Sequence, residues 1–327
     1  MRAVLTEDSG GLPNTRLIDV EVPSAGEDDV LVEIYAAALN PADRYLIDGK
    51  YPGGPLPPFI CGRDAAGVVI QSDAAGSFPV GSSVLVVQST VRDLARGTLC
   101  EQQRFTASTV APIPDGWTWI EAAAAPLAFQ TAWKALTNHG PVTSNNIVAV
   151  TGAGGGVGLA AVQLALGLGA EVVALSRSPR KQLRLREMGV RHVFAPGEAD
   201  LKRKVFHSID RKGVDVVVDT VGGPLLTMAV HLLAPEGRVG VVGVLGGVES
   251  ALPIPSLMFK RASIHGIQVA DLDAPAAVAQ WNTIIEVLQR SNQRPIVDST
   301  FSLDDFATAF ARLAESPFGK VVVQMQE

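Results

Sequence analysis

The residues whose types and spacing carry the plainest chemistry lie in one unbroken run at 147–176, IVAVTGAGGGVGLAAVQLALGLGAEVVALS. Ala153, Gly155 and Gly158 stand there at the spacing G-x-G-x-x-G, with alanine in the first place. Small residues are needed because the turn is tight, the backbone must approach a pyrophosphate, and the helix must pack closely on its strand. A helix starting at such a turn aims its free N–H groups and positive dipole end at phosphate. The competing explanation is a Gly-rich turn with a purely structural role. Against it stand the apolar strand 148–150 before the turn and the β-rich run 172–175 after the helix. An acidic residue closing that second strand would accept from ribose hydroxyls and repel a 2′-phosphate. This chain has Ser176, followed by Arg177, Ser178, Arg180 and Lys181, so cations and hydroxyls stand where an extra phosphate would sit. NADPH is therefore expected, with Arg177 and Lys181 as phosphate contacts. The alternative for Arg180 and Lys181, as for Arg184 and Arg186, is the solvated face of the next helix.

A parallel sheet flanked by helices must hold these residues. Strands are expected at 147–151, 171–176, 191–194, 214–219 and 238–243, alternating with helices at 156–168, 179–188, 198–209 and 223–233. VDVVVDTVGG and GRVGVVGVLGG have the continuous apolar character of strands buried on both faces. Up to about residue 115, the short runs AVL, VLVEIYAAAL, AAGVVI, SVLVV and CEQQRF, separated by Gly, Pro and Asp, predict an irregular all-β domain, a partly open barrel. Residues 121–136, EAAAAPLAFQTAWKAL, turn helical, with a break expected at Pro126. After residue 262 come a helix near 274–290, an amphipathic helix at 302–315 with Ser302 and Asp305 in capping-box positions, and a β-branched final strand that pairs back with the N-terminal domain. The expected fold class is α/β, with a dinucleotide domain at 121–265 inserted into a discontinuous, mostly-β catalytic domain at 1–120 and 266–327.

A chain of 327 residues exceeds the usual size of one core, which fits two domains. The net charge of −6, with no basic stripe, argues against nucleic acid as a main partner. No uninterrupted apolar run is long enough to span a membrane, and no basic-then-apolar leader opens the chain. A cytoplasmic protein acting on a small-molecule substrate is expected. Two cysteines, Cys61 and Cys100, exclude a disulfide framework and a multi-cysteine zinc lobe. The five histidines are scattered, with no two at ligand spacing.

Several segments together resemble a medium-chain dehydrogenase/reductase over essentially the whole chain, and within it the zinc-free quinone oxidoreductase and enoyl reductase branch. They are ALNPADRYLIDGKYP at 38–52, GRDAAGVV at 62–69, PDGWTWIEAAAAPLAFQTAWKAL at 114–136, the AGGGVG turn with AAVQLA, VDVVVDTVGG at 214–223 and the C-terminal GKVVVQ. The resemblance implies a GroES-like domain for the outer segments, a Rossmann domain for the middle and an active site in the cleft between them. Beside Ala153 of the turn, it implies cofactor contacts at Thr131, Gly154, Gly155, Gly156, Val157, Ser176, Arg177, Lys181, Thr220, Gly243, Val244 and Leu245. It implies a homodimer paired through edge strands of the Rossmann sheets, with GRVGVVGV as that edge. Two departures stand out. FAPGE replaces a segment where many relatives have Tyr, and Ala270, Asp271, Leu272 and Asp273 replace Gly-Ser-Arg. Two carboxylates in place of a cation disfavour a bulky anionic substrate such as an acyl-CoA.

Zinc-dependent relatives place a Cys in the segment aligned with 40–43 and a His and Glu where Arg63 and Asp64 stand. No such ligand set is present here, and Cys61 is expected to be a small buried thiol. Arg63 and Asp64 are expected to pair with each other, and Asp43 to hold its loop. Without a metal, which contributes several kcal/mol when it polarises a carbonyl, reduction of an activated C=C or a quinone is the expected chemistry. Tyr51, in GKYP, matches the tyrosine that enoyl thioester reductases of this family use as a proton or hydrogen-bond donor. Asn40 and Tyr45 match pocket residues of the quinone reductase pattern, with ordinary packing as the alternative for Tyr45. The expectation is an NADPH-dependent oxidoreductase reducing a quinone or α,β-unsaturated carbonyl by hydride transfer without zinc. The alternatives are a 2-enoyl thioester reductase and a non-catalytic NADPH-binding protein.

Overall fold

The computed structural model describes residues 1–87, 96–269 and 272–325, so Ala270 and Asp271 of the departing loop lie outside the described residues. The chain forms two compact units, one of Met1–Leu127, Ala270–Ile285 and Arg294–Glu327, the other of Ala128–Val269 and Glu286–Gln293. In chain order the elements are β1 (Arg2–Thr6), β2 (Thr15–Asp19), β3 (Asp29–Leu39), α1 (Pro41–Ile47), β4 (Phe59–Ile60), β5 (Asp64–Gln71), β6 (Ser83–Val86), β7 (Gln102–Thr106) and β8 (Val110–Pro112). Then follow α2 (Trp119–Ala124), α3 (Pro126–Thr137), β9 (Ile147–Thr151), α4 (Gly156–Gly167), β10 (Glu171–Leu175), α5 (Pro179–Glu187), β11 (His192–Phe194), α6 (Leu201–Ser208) and β12 (Val214–Asp219). The last are α7 (Pro224–Leu232), β13 (Leu233–Val241), α8 (Ile254–Lys260), β14 (Ser263–Gly266), α9 (Ala274–Arg290), β15 (Val297–Ser302), α10 (Phe306–Ala314) and β16 (Lys320–Gln324).

In the first unit, β3 is the long central strand of a seven-stranded mixed sheet ordered β15-β16-β3-β5-β6-β8, with β7 also on β3; β1, β2 and β4 form a smaller sheet. The final strand β16 returns antiparallel to β3, pairing Val321 with Leu39 and Val323 with Ala37. Ile34, Leu39, Ile47, Leu99 and Phe310 are buried in the core beneath. Pro126 divides the helical segment as its chemistry requires, since it has no N–H and restricts the residue before it. Thus α2 stops at Ala124 and a new helix starts at the proline. Ser302 and Asp305 do exchange hydrogen bonds, Ser302 Oγ to Asp305 Oδ2 at 2.8 Å and Asp305 N to Ser302 Oγ at 3.2 Å. They close a turn at the end of β15, however, and α10 starts only at Phe306.

The second unit carries a six-stranded parallel sheet ordered β11-β10-β9-β12-β13-β14. This is the doubly wound order, whose reversal between its first and fourth strands leaves a crevice at their carboxyl ends. All five residues of β9 are buried, which is why they form one apolar run. One expectation needs correction. GRVGVVGV is not the edge of this sheet, because β13 is paired on both sides, to β12 and to β14. The edge next to it is β14, the short segment SIHG. No helix among the described residues is long and apolar enough to cross a membrane.

Candidate functional site

In the second unit, the residues at the carboxyl ends of β9, β12 and β13 form a backbone cradle. Ala153 is buried and its N–H donates to Leu175 O at 3.1 Å, while Gly155 N–H donates to Gly152 O at 2.9 Å. Gly154 completes the turn, Gly155 caps α4, and Gly156 and Val157 open the helix. A Cβ on Gly158 would lie 2.3 Å from Gly152 O, so only glycine lets the helix approach its strand this closely. At the point of strand reversal, Thr151 Oγ1 donates to the buried Asp219 Oδ1 at 2.5 Å. Asp219 Oδ1 also accepts from the N–H groups of Val221 and Gly222 at 3.1 and 3.2 Å. Thr220 Oγ1 donates to Thr151 O at 2.7 Å, so its proton clamps the two turns together. A Cβ on Gly243 would meet Thr220 O at 2.3 Å, which brings the loop carrying Val244 and Leu245 onto the same floor.

Ser176 is buried at the end of β10, its N–H donating to Phe194 O at 3.1 Å and its carbonyl accepting from Gln182 Nε2 at 2.8 Å. Arg177 is exposed beside it. Lys181 Nζ lies 3.4 Å from Gly154 O, which brings its ammonium over the glycine turn. Thr131, on α3, is nearly buried in this unit. The arrangement brings the glycine turn, the N-terminal end of α4 and two cations together at the strand ends, and the residues present fit the pyrophosphate of a dinucleotide.

The first unit builds a buried polar network. Lys320 Nζ donates to Asn40 Oδ1 at 2.5 Å and to Asp64 Oδ2 at 3.0 Å. Asn40 Nδ2 donates to Asp64 Oδ2 at 2.9 Å, so the Asn40 amide is engaged at both ends. Asp64 Oδ1 accepts from Leu127 N–H at 2.9 Å. The expected Arg63 to Asp64 pair is thereby corrected: the cation on Asp64 is Lys320. Arg63 is 4% exposed and its Nη1 donates to the Tyr51 phenol oxygen at 3.3 Å. Tyr45 sits half-buried on α1. Asp43 holds its loop as expected, with Oδ2 accepting from Asn40 N–H at 2.7 Å. Burial pushes the Asp43 carboxyl up to about 6, against the Arg63 and Lys320 charges and the Asn40 N–H, which pull it down. Lys320 was visible in the sequence only as one cation in a β-branched strand, with nothing local to mark it as buried.

Residues 26–127 match the family model of the alcohol dehydrogenase GroES-like domain, and residues 156–290 that of the zinc-binding dehydrogenases. Human quinone oxidoreductase is 30% identical over 316 residues, 94% of this chain and 92% of its own length. The chain belongs to the medium-chain dehydrogenase/reductase family, in its quinone oxidoreductase branch. Members of this family bind a nicotinamide dinucleotide, and the chain is an oxidoreductase. Among solved structures, an NAD-dependent alcohol dehydrogenase of the family superposes over the whole of both chains with a TM-score of 0.89 at 28% identity. The quinone oxidoreductase of Pseudomonas syringae pv. Tomato DC3000 shares the fold, with a TM-score of 0.88 at 24% identity over 99% of each chain.

The donors present do not fit the catalytic zinc known in other branches of the family. Asp64 is already neutralised by Lys320, Arg63 brings a cation to the next position, and burial raises the Cys61 thiol well above its ordinary range. Among the described residues, no group of three or more His, Cys, Asp or Glu side chains is placed to hold a metal ion.

The raised Asp43 carboxyl ties stability to pH. Folded Asp43 holds its proton more tightly than the unfolded chain does, so stability falls as pH rises from its ordinary 3.8 through about 6, and the loss is complete above that. Asp43→Asn removes this dependence. Its stability relative to wild type, measured by urea unfolding, is expected to rise by roughly 2–3 kcal/mol between pH 4 and pH 7. A pH-independent difference between the two proteins would show that Asp43 does not titrate in that window.

Proposed function

We propose that this oxidoreductase uses NADPH to reduce a quinone or an α,β-unsaturated carbonyl compound without zinc. The observation that carries this reading is the first-unit network. It offers no metal ligand set, yet presents a phenol, Tyr51, held by a cation at its oxygen. Bound NADPH supplies a hydride, so that substrate, NADPH and one solvent proton give the reduced substrate and NADP⁺. Tyr51 donates its O–H to the substrate oxygen as negative charge collects there. Asn40, committed to Lys320 and Asp64, keeps α1 and β5 in register behind it, and Tyr45, half-buried on α1, is a further candidate substrate contact. Ser176, Arg177 and Lys181 support selection of NADPH, since no carboxylate opposes a 2′-phosphate at that strand end.

A second copy of the chain is the proposed protein partner, pairing through β14. Among the described residues that strand is the last of its sheet, paired on one side only, and the segment leading into it exposes Val248, Met258 and Phe259, at 84%, 66% and 82%. Two buried free thiols support a cytoplasmic protein.

NADPH consumption against a quinone, an alkenal, a cyclic enone and a crotonyl thioester tests the activity. Tyr51→Phe is expected to lower kcat about 100-fold on whichever compound is reduced. NADPH binding without turnover of any of them would favour a binding protein. Arg177→Ala with Lys181→Ala is expected to raise the KM for NADPH at least about tenfold while moving that for NADH less than about twofold; an equal rise for both would remove the phosphate assignment. In sedimentation the wild type is expected to run as a dimer and Phe259→Asp as a monomer. A monomeric wild type would end the dimer reading.

A further inference from the structure

We propose that Arg63 is a positioning residue for Tyr51, whose guanidinium occupies the phenol oxygen so that the single phenolic proton is left to point at the substrate. The inference rests on the proposed donor role of Tyr51 and goes beyond it by naming what aims the donor. A guanidinium carries five N–H groups and no acceptor. The contact from Arg63 Nη1 to the Tyr51 oxygen therefore has only one possible direction: arginine donates and tyrosine accepts. A phenol O–H lies close to the ring plane and has two main orientations. With Arg63 Nη1 on the oxygen and its Cζ over the ring, the phenolic proton is kept from turning toward the guanidinium. The cation also polarises the phenol, which strengthens the hydrogen bond its O–H can make.

Arg63 is held where it can do this. It is buried, its Cζ lies 5.7 Å from the Tyr51 ring centroid, and the charge of Asp43, in the first turn of α1, opposes its own. Its neighbour Asp64 pairs with Lys320 rather than with Arg63. A neutral residue with both a donor and an acceptor at position 63 would let the phenol turn its proton inward. A cationic one would not.

That difference gives the test. Steady-state turnover is compared for wild type, Arg63→Lys, Arg63→Gln, Tyr51→Phe and Arg63→Gln combined with Tyr51→Phe, each with its thermal midpoint. Arg63→Lys is expected to keep kcat within about threefold, and Arg63→Gln to lose about tenfold or more in kcat with KM changed less than about twofold. The double variant should match Tyr51→Phe alone, because Arg63 acts through the phenol. A structural role alone would make the two losses multiply, and that result overturns the proposal. So does Arg63→Gln with wild-type kcat while Tyr51→Phe is slow, an outcome that leaves the donor role of Tyr51 intact. Wild-type turnover in Tyr51→Phe overturns the donor reading and this inference with it. A readout independent of turnover comes from the cofactor-free protein labelled with ¹³C at tyrosine Cζ. Only three tyrosines are present, and the Tyr51 signal is the one lost in Tyr51→Phe. It is expected to shift in Arg63→Gln and to stay near its wild-type position in Arg63→Lys; an unmoved signal in Arg63→Gln denies the hydrogen bond.

Discussion

One buried ammonium sets the arrangement of the first unit. Lys320 reaches Asn40 and Asp64 across 280 and 256 residues of sequence, so the last strand, the start of α1 and the start of β5 meet at one point. Taking such charges out of water costs several kcal/mol per ion and is offset only where geometry and hydrogen bonding are good. That condition is met on the carboxylate. Asp64 Oδ2 accepts from Lys320 and Asn40, and Oδ1 from the Leu127 N–H. Removing one partner alone would strand a buried charge at about 3–5 kcal/mol, whereas a well-packed apolar replacement of the whole set can be neutral. The network therefore contributes geometry more than stability. It fixes where α1 begins, and so where Asp43 and the Tyr51 loop stand.

The second unit depends on the opposite device, the absence of side chains. Gly158 and Gly243 are places where backbone meets backbone at distances no Cβ allows. Because the chain comes this close, the turns after β9, β12 and β13 share one floor, latched by Thr151, Asp219 and Thr220. A floor of this kind presents N–H groups and a helix end, which is what an anion requires. At its margin stand Ser176, Arg177 and Lys181, the side chains to which the proposed selectivity between dinucleotides is assigned.

What the sequence made legible follows from which signals are local. The parallel sheet was readable because each buried strand is a continuous apolar run of strand length, and the glycine turn because its spacing is fixed by its own geometry. The edge of the sheet was not. GRVGVVGV is apolar because it is covered on both sides, so its pattern speaks for an interior place, while the true edge, SIHG, is four residues long and mixed in character. Ser302 and Asp305 were the right pair with the wrong task, because a reciprocal bond over three residues closes a turn as readily as it opens a helix. The polar network was least legible. Arg63 and Asp64 adjoin in sequence and are opposite in charge, yet Arg63 stands in the bend before β5 and Asp64 at the strand's first position, and the two side chains go to different partners. The cation on Asp64 comes from the far end of the chain, where no local pattern announces it.

That divergence has a chemical consequence. Where zinc-dependent relatives place neighbouring ligands on one metal, Arg63 and Asp64 are drawn into separate contacts, the carboxylate to Lys320 and the guanidinium to Tyr51. Asp64 is neutralised where it stands, with Oδ2 taken by Lys320 and Asn40 and Oδ1 accepting from the Leu127 N–H. The remaining polar handle is a phenol with a cation behind its oxygen. Such a group meets negative charge arriving on a substrate oxygen, but it provides no Lewis acid to draw a proton from an alcohol. Substrates whose own conjugation carries charge to oxygen need no more than this, since a quinone or enone delivers the charge of an added hydride to the atom that the phenol can reach. On the proposed reading the electron-poor π system does the work that a metal would otherwise do, and the protein is left with orientation and a single well-aimed hydrogen bond.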